Sequence, residues 1–356
     1  MSPPPCEFVL ELEPRARFDA IDVNELLRRR HGPALEGYRR ALYCSLHTTA
    51  GYLEQGLTVR LARDRERLDS FFRVFDRLFP RGAPYQHDRL ELRAELSEEQ
   101  RRREPRNADS HLKFIGSGLR SCVTYVNRPE RPVYFIDLDG VNGEVRRRRK
   151  TTVVGFDREE VVRRLRIPVP VSRHPIDSVN LKDPRLGLFP RLEEELTRCG
   201  VDRGRIRISL APTERHAGLT VNEYETLLMR HDLAEVLHDP LRFVADRIRH
   251  AIRDPRAVPN KTRNYAQYDL VQVMKELLDA LHISESRLER YLAKFIARPA
   301  SRFFRMRDSI SLLVSRERGS GKGAIVQGRY QSPILVQWER GGGDARKLDV
   351  VLTRFR

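Results

Sequence analysis

Sulfur and long apolar runs are both scarce in this chain. Its 356 residues include four cysteines, four methionines and one tryptophan. The cysteines, Cys6, Cys44, Cys122 and Cys199, stand far apart and form no C-x-x-C pair. That spacing indicates neither a zinc knuckle nor a disulfide framework, and the preferred reading is buried free thiols in a reducing cytoplasm. No stretch approaches the roughly 20 apolar residues a membrane span needs. The opening Met1-Ser2-Pro3-Pro4-Pro5 has no basic segment followed by an apolar run, so no secretory signal is expected. Lysine is rare too, at eight of the 67 basic side chains.

What is present is a folded composition of about two domains' length, 40% apolar and 33% charged, with a mean hydropathy of -0.56. The net charge is +17, of which +6 falls in residues 1–156 and +11 in the rest. A polyanion partner would suit that balance. The arginines are interleaved with Asp and Glu, however, as in 60–69, and their excess over lysine fits a coding bias. The sharper clusters are 28–30, 101–103 and 146–150. No zinc finger, RNA-recognition signature or helix-turn-helix spacing accompanies them, so nucleic acid is the disfavoured partner.

Patterning predicts strands at 7–12, 38–47, 119–126, 132–138 and 147–156, and helices at 19–30 and 64–79. Residues 88–107 read as a loop or frayed helix. A Pro-rich stretch, 167–190, reads as the heart of a linker over 161–195, because its prolines disfavour a helix or a central strand. Beyond it, strands are expected at 205–210, 309–316, 333–338 and 346–355. Amphipathic helical spacing fills 241–252, 265–281 and 285–297.

Three blocks of the first half carry a resemblance: Leu46-His47-Thr48-Thr49-Ala50, Tyr85-Gln86-His87-Asp88, and Asn107-Ala108-Asp109-Ser110-His111-Leu112-Lys113 running to Gly116-Ser117-Gly118. In this order, over roughly residues 8–156, the chain resembles the YjbQ-like family, described as secondary thiamine-phosphate synthases. The resemblance implies an α+β fold, a small two-sheet β-sandwich unit with flanking helices, and a homotrimer. It also implies coupling of a pyrimidine diphosphate to a thiazole phosphate. Two blocks depart from the family: Gln55-Gly56 stands where Asn-Glu is usual, and Arg128-Pro129-Glu130-Arg131 replaces Gly-Thr-Trp-Gln.

The missing pieces occur in the second half. Residues 205–223 end in Ala-Gly-Leu-Thr-Val-Asn222-Glu223, and Gly328-Arg329-Tyr330-Gln331 resembles the Gly-Thr-Trp-Gln block. Aligned on Asn222-Glu223, Glu214 takes the place of the first histidine. Pairing 311–315 with 121–125 puts Ser301 in the place of His111. The expectation is a tandem, diverged duplication. Residues 1–160 form a YjbQ-like domain keeping the histidines, and 196–356 form a second, degenerate one interrupted by a helical insert at about 232–300.

Imidazoles from three separated segments suit either of two tasks. Neutral His47, His87 and His111 would bind zinc or another divalent metal. Protonated or donating, they would hold a phosphate and protonate a leaving group. Asp109 is expected to orient one imidazole and Lys113 to add a cation, completing the catalytic set. Thr48, Thr49, Asn107, Ser110, Ser117, Asn222, Glu223 and Gln331 are the expected ligand-binding residues, with Glu223 and Gln331 completing the histidine site. Magnesium would accompany a diphosphate substrate. The expected partner is a small phosphorylated ligand, in a cytoplasmic oligomer. Gly319-Ser320-Gly321-Lys322-Gly323 lacks phosphate-loop spacing and reads as a hairpin loop. The competing reading is a ligand-binding or scaffold protein with decayed sites.

Overall fold

The computed structural model describes residues 3–85, 87–92, 97–173, 177–223, 307–317, 319, 321–339 and 341–356. The first half contains β1 (Cys6–Leu12), β2 (Asp19–Asp22), α1 (Val23–His31), β3 (Arg40–Ser45), β4 (Ala50–Gly51), α2 (Gln55–Arg60), α3 (Arg65–Leu78), α4 (Glu98–Arg103) and α5 (Ala108–Ser117). It continues with β5 (Cys122–Val126), β6 (Tyr134–Asp137), β7 (Val141–Asn142), β8 (Val145–Arg146) and β9 (Arg149–Phe156). The second half contains β10 (Glu159–Pro170), β11 (Asp177–Asn180), α6 (Leu188–Arg198), β12 (Gly204–Leu210), β13 (Ala217–Asn222), β14 (Ser309–Arg316), β15 (Gly323–Val326), β16 (Ser332–Gln337) and β17 (Ala345–Phe355). The architecture is α+β.

The chain divides into two compact units, the first made of Met1–Gln55, Leu119–Tyr224 and Arg307–Arg356, while the second contains Gly56–Gly118. In the first unit, one strand order occurs twice. Sheets β1-β9-β3-β5 and β2-β6-β4 belong to the first half, and β10-β17-β12-β14-β15 and β11-β16-β13 to the second. Successive side chains of a strand point to opposite faces. On β3, Ala41 and Tyr43 join Tyr52, Val123 and Phe135 in one core, while Leu42 and Cys44 join Leu313 and Phe355 in another. Both faces of β3 are therefore dry between Ala41 and Cys44, which is why that stretch is continuously apolar.

Registers make the repeat residue-specific. Isolated bridges join Tyr52 to Arg120 and Leu219 to Arg307. They match Arg120 with Arg307, three residues away from the offset expected from sequence. Asp19 accepts from Arg15 N and Ala20 N, and its counterpart Asp177 accepts from Ser172 N and Ser178 N. Asp22 accepts from Asn24 N, and Asn180 from Lys182 N.

Two expectations change. Residues 161–195 carry β10, β11 and α6 rather than a linker. Proline is tolerated on an edge strand because no outer neighbour needs its N–H. β10 is such an edge, with Pro168 and Pro170 at alternate positions while Ile167 and Val169 fill the core. The predicted helix at 19–30 begins as β2, and α1 starts only after Asp22, whose carboxylate caps Asn24 N and Glu25 N. The expected insert at about 232–300 and Ser301 lie outside the described residues. In chain order, the β13–β14 connection that contains them matches the β4–β5 connection that carries α2 to α5. Strands β14 and β15 pair as the expected hairpin, with Gly319 and Gly321 at positive φ between them and Gly323 opening β15.

Within the second unit, α3 buries Leu68, Phe71, Phe72, Phe75 and Leu78 at helical spacing. Every residue of α5 is buried, including Asp109, Ser110, His111 and Lys113. A Cβ on Gly116 would stand 3.0 Å from the Phe79 ring, so α5 packs where only glycine fits comfortably.

Candidate functional site

α5 begins at Asn107, which accepts the Ser110 and His111 backbone N–H groups through its carbonyl. His111 is 1% exposed and His87 0%. Their ring centroids are 5.1 Å apart, and a ring nitrogen of each lies within 4.8 Å of one on the other. Asp88 holds this arrangement from behind. Its Oδ1 stands 3.0 Å from His87 Nδ1 and also accepts Ala108 N at 3.0 Å. A carboxylate on one imidazole nitrogen fixes the ring and directs the other nitrogen to a ligand. Asp88 follows His87 directly in the sequence, but that adjacency carries no sign that it, among the nearby acids, braces the ring.

Asp109 and Lys113 lie one helical turn apart. Lys113 Nζ donates to Asp109 Oδ2 at 3.0 Å and pairs with Asp76. Ser110 and Ser117 are fully buried, and Ser117 Oγ donates to Phe114 O.

His47, Thr48 and Thr49 follow β3 in the first unit. His47 Nε2 accepts the Lys150 backbone N–H at 2.7 Å, so this ring offers only Nδ1 to another partner. Burial, then the Arg149 and Arg147 cations, press its pKa down to about 3, and the ring is neutral. Thr49 Oγ1 accepts from Arg149 at 3.2 Å. Arg149 is clamped on buried Asp137 through Nε and a terminal nitrogen, and it also reaches Asp139 O. Burial drives the Asp137 pKa up against the pull of Arg149. This ion pair carried no sequence signal beyond a basic run.

The second-half residues are in the same unit as His47. Gln331 is 3% exposed, and its Nε2 donates to Ser45 O at 3.0 Å and His47 O at 2.9 Å. Gly328 makes this approach feasible, since a Cβ there would stand 1.8 Å from Leu46 O. Asn222 is fully buried, and its Oδ1 accepts Glu223 N at 2.7 Å. Glu214, at the position aligned with the first histidine, pairs with buried Arg346 and accepts Lys347 N.

No protein-family model and no curated protein matches the chain. Solved structures do. A YbjQ-like protein of unknown function from Sulfolobus solfataricus is 15% identical with a TM-score of 0.27, the match covering 55% of this chain and 99% of that one. A hypothetical protein from Aeropyrum pernix is 16% identical with a TM-score of 0.27, covering 53% and 97%. An uncharacterised yjbq/upf0047 family protein from Clostridium acetobutylicum is 13% identical with a TM-score of 0.25, covering 53% and 98%. None of these likenesses assigns an activity or a ligand. Among the described residues, no helix is long and apolar enough to cross a membrane.

Proposed function

We propose that this chain is a tandem YjbQ-like enzyme acting on a small phosphorylated substrate, with one composite site per chain. Within the first unit, the first half supplies the His47 segment and the second half the Gln331 amide that the first has lost. The observation that carries this reading is Gln331, which reaches from the second half to the carbonyls of Ser45 and His47. The repeated strand order supports the duplication. Glu214, turned into a structural partner of Arg346, supports the loss of a second site.

His87 and His111 suit an imidazole-binding divalent metal such as zinc: both rings are buried and close, and His87 is braced by a carboxylate. The metal would polarise a phosphate oxygen or a bound water. His47, neutral and held through Nε2, would position a ligand through Nδ1 as a hydrogen-bond donor. Transfer between a pyrimidine diphosphate and a thiazole phosphate is the reaction the resemblance implies, and magnesium would accompany the diphosphate.

The test is elemental analysis of the purified full chain together with that transfer assay, repeated for His87→Ala and His111→Ala. Expected are about one zinc per chain and a loss of metal affinity of at least 10-fold in each variant. Transfer that falls with the metal supports the enzyme reading. Metal that stays bound in both variants removes the histidine site, and unchanged transfer removes its catalytic role.

A further inference from the structure

Cys44 on β3 and Cys122 on β5 are direct cross-strand partners. The neighbouring residues Ser45 and Ser121 share a ladder hydrogen bond, Ser45 N to Ser121 O. The cysteines therefore occupy the alternate, non-hydrogen-bonded position, where Cα atoms approach to about 4.5 Å. Disulfides span Cα separations of roughly 4.4–6.8 Å, so this register accepts an S–S bond without moving a strand. Both side chains turn to one face, into the core shared with Leu42, Val154, Phe156, Leu313 and Phe355. There the Cys44 thiol donates to Ser45 O, and the adjacent Cys122 thiol together with burial holds the Cys44 thiol well above its ordinary pKa. Ser209 and Ser309 face each other at the matching position of the second half. The position thus takes small side chains in both halves, and only the first half has sulfur on both strands.

We propose that Cys44 and Cys122 form an oxidative modification site, closing to an intrachain disulfide when the chain meets a small peroxide. One sulfur attacks the peroxide, the O–O bond breaks, and a sulfenic acid and one water result. The second sulfur displaces the hydroxyl as another water. In sum, two thiols lose two electrons and two protons, one S–S bond forms, and one peroxide becomes two waters. Low thiolate content in the core makes the step slow, and the same burial shields the product. The bond would staple β3 to β5 one residue before Ser45, whose carbonyl holds Gln331.

The experiment treats the full chain with hydrogen peroxide, alkylates the remaining thiols in denaturant, and maps the peptides by mass spectrometry. A chain with Cys6→Ser and Cys199→Ser is run in parallel, leaving only the core pair. Expected is a Cys44–Cys122 linked peptide lighter by two hydrogens, with the thiol count of the parallel chain falling from two to none. Cys122→Ser should abolish the link while leaving Cys44 alkylated or singly oxidised. Recovery of Cys44 and Cys122 as alkylated thiols, at peroxide doses that oxidise Cys6 and Cys199, overturns the proposal. So does their linkage to Cys6 or Cys199 in place of each other.

Discussion

Arg149 and Arg346 hold matching places in the two strand orders, each at the start of the last strand of its half. Arg149 Nε donates to Asp137 and a terminal nitrogen to Asp139 O. Arg346 Nε donates to Gln337 and a terminal nitrogen to Glu339 O. The clamp occurs in both halves, on a carboxylate in the first and on an amide in the second. The first half thus buries an ion pair where the second buries a neutral contact to the same guanidinium, whose charge falls instead to the more exposed Glu214.

That difference predicts unequal costs. Arg149→Ala leaves Asp137, 0% exposed, as an unpaired buried carboxylate. Removing one member of a buried pair costs about 3–5 kcal/mol. Arg346→Ala leaves a neutral Gln337 and a Glu214 that can reach water, so about 1–3 kcal/mol is expected. Urea denaturation of both variants measures the gap. Equal losses would mean that the two clamps do not differ as their partners imply.

Lys113 allows a similar separation of structure from chemistry. Lys113→Met strands Asp109, 1% exposed, and should destabilise the fold by about 3 kcal/mol or more. Adding Asp109→Asn removes the stranded charge and should recover at least about half of the loss. If transfer activity returns with stability in the double variant, the pair positions α5. If stability returns and activity does not, the ammonium acts on the ligand.

The strands were largely legible because alternation in an antiparallel sheet leaves a period-2 trace, and 309–316 was readable to the residue. β10 was not, because proline is a local breaker signal and only the strand order shows that this strand lies on an edge. Of the candidate site, the histidine blocks were readable. Asp88 and Asp137 were not, since their roles depend on contacts with Ala108 and Arg149, and such partners leave no periodic signal. Gln331 was found through a short block, but its grip on Ser45 and His47 comes from a contact 284 residues or more along the chain.

Gly328 tests that grip through the backbone. Gly328→Ala drives a methyl to within 1.8 Å of Leu46 O, so the loop must withdraw and take Gln331 with it. Stability should fall by about 2 kcal/mol or more, since overpacking strains the site and two buried bonds are lost. Gln331→Ala should cost about 1–3 kcal/mol without the clash. Under the composite-site reading, both variants should also weaken inorganic phosphate binding, read by calorimetry. Phosphate affinity unchanged in both would uncouple the second half from the His47 segment.

The neutral His47 ring sets a pH dependence with a definite sign. Its pKa is about 3 in the folded chain, against 6.5 for the unperturbed side chain. Below pH 6.5 the unfolded chain gains a proton that the folded chain refuses. The stabilisation is therefore complete above pH 6.5 and is lost progressively as the pH falls toward 3, by at most about 1.4 kcal/mol per pH unit. His47→Gln keeps an acceptor for Lys150 N and cannot titrate. Between pH 7.5 and 5, the wild-type chain should lose up to about 2 kcal/mol more than this variant in parallel urea titrations. Parallel losses would show that the imidazole takes up its proton in the fold, and that Lys150 N does not hold Nε2 in the neutral state.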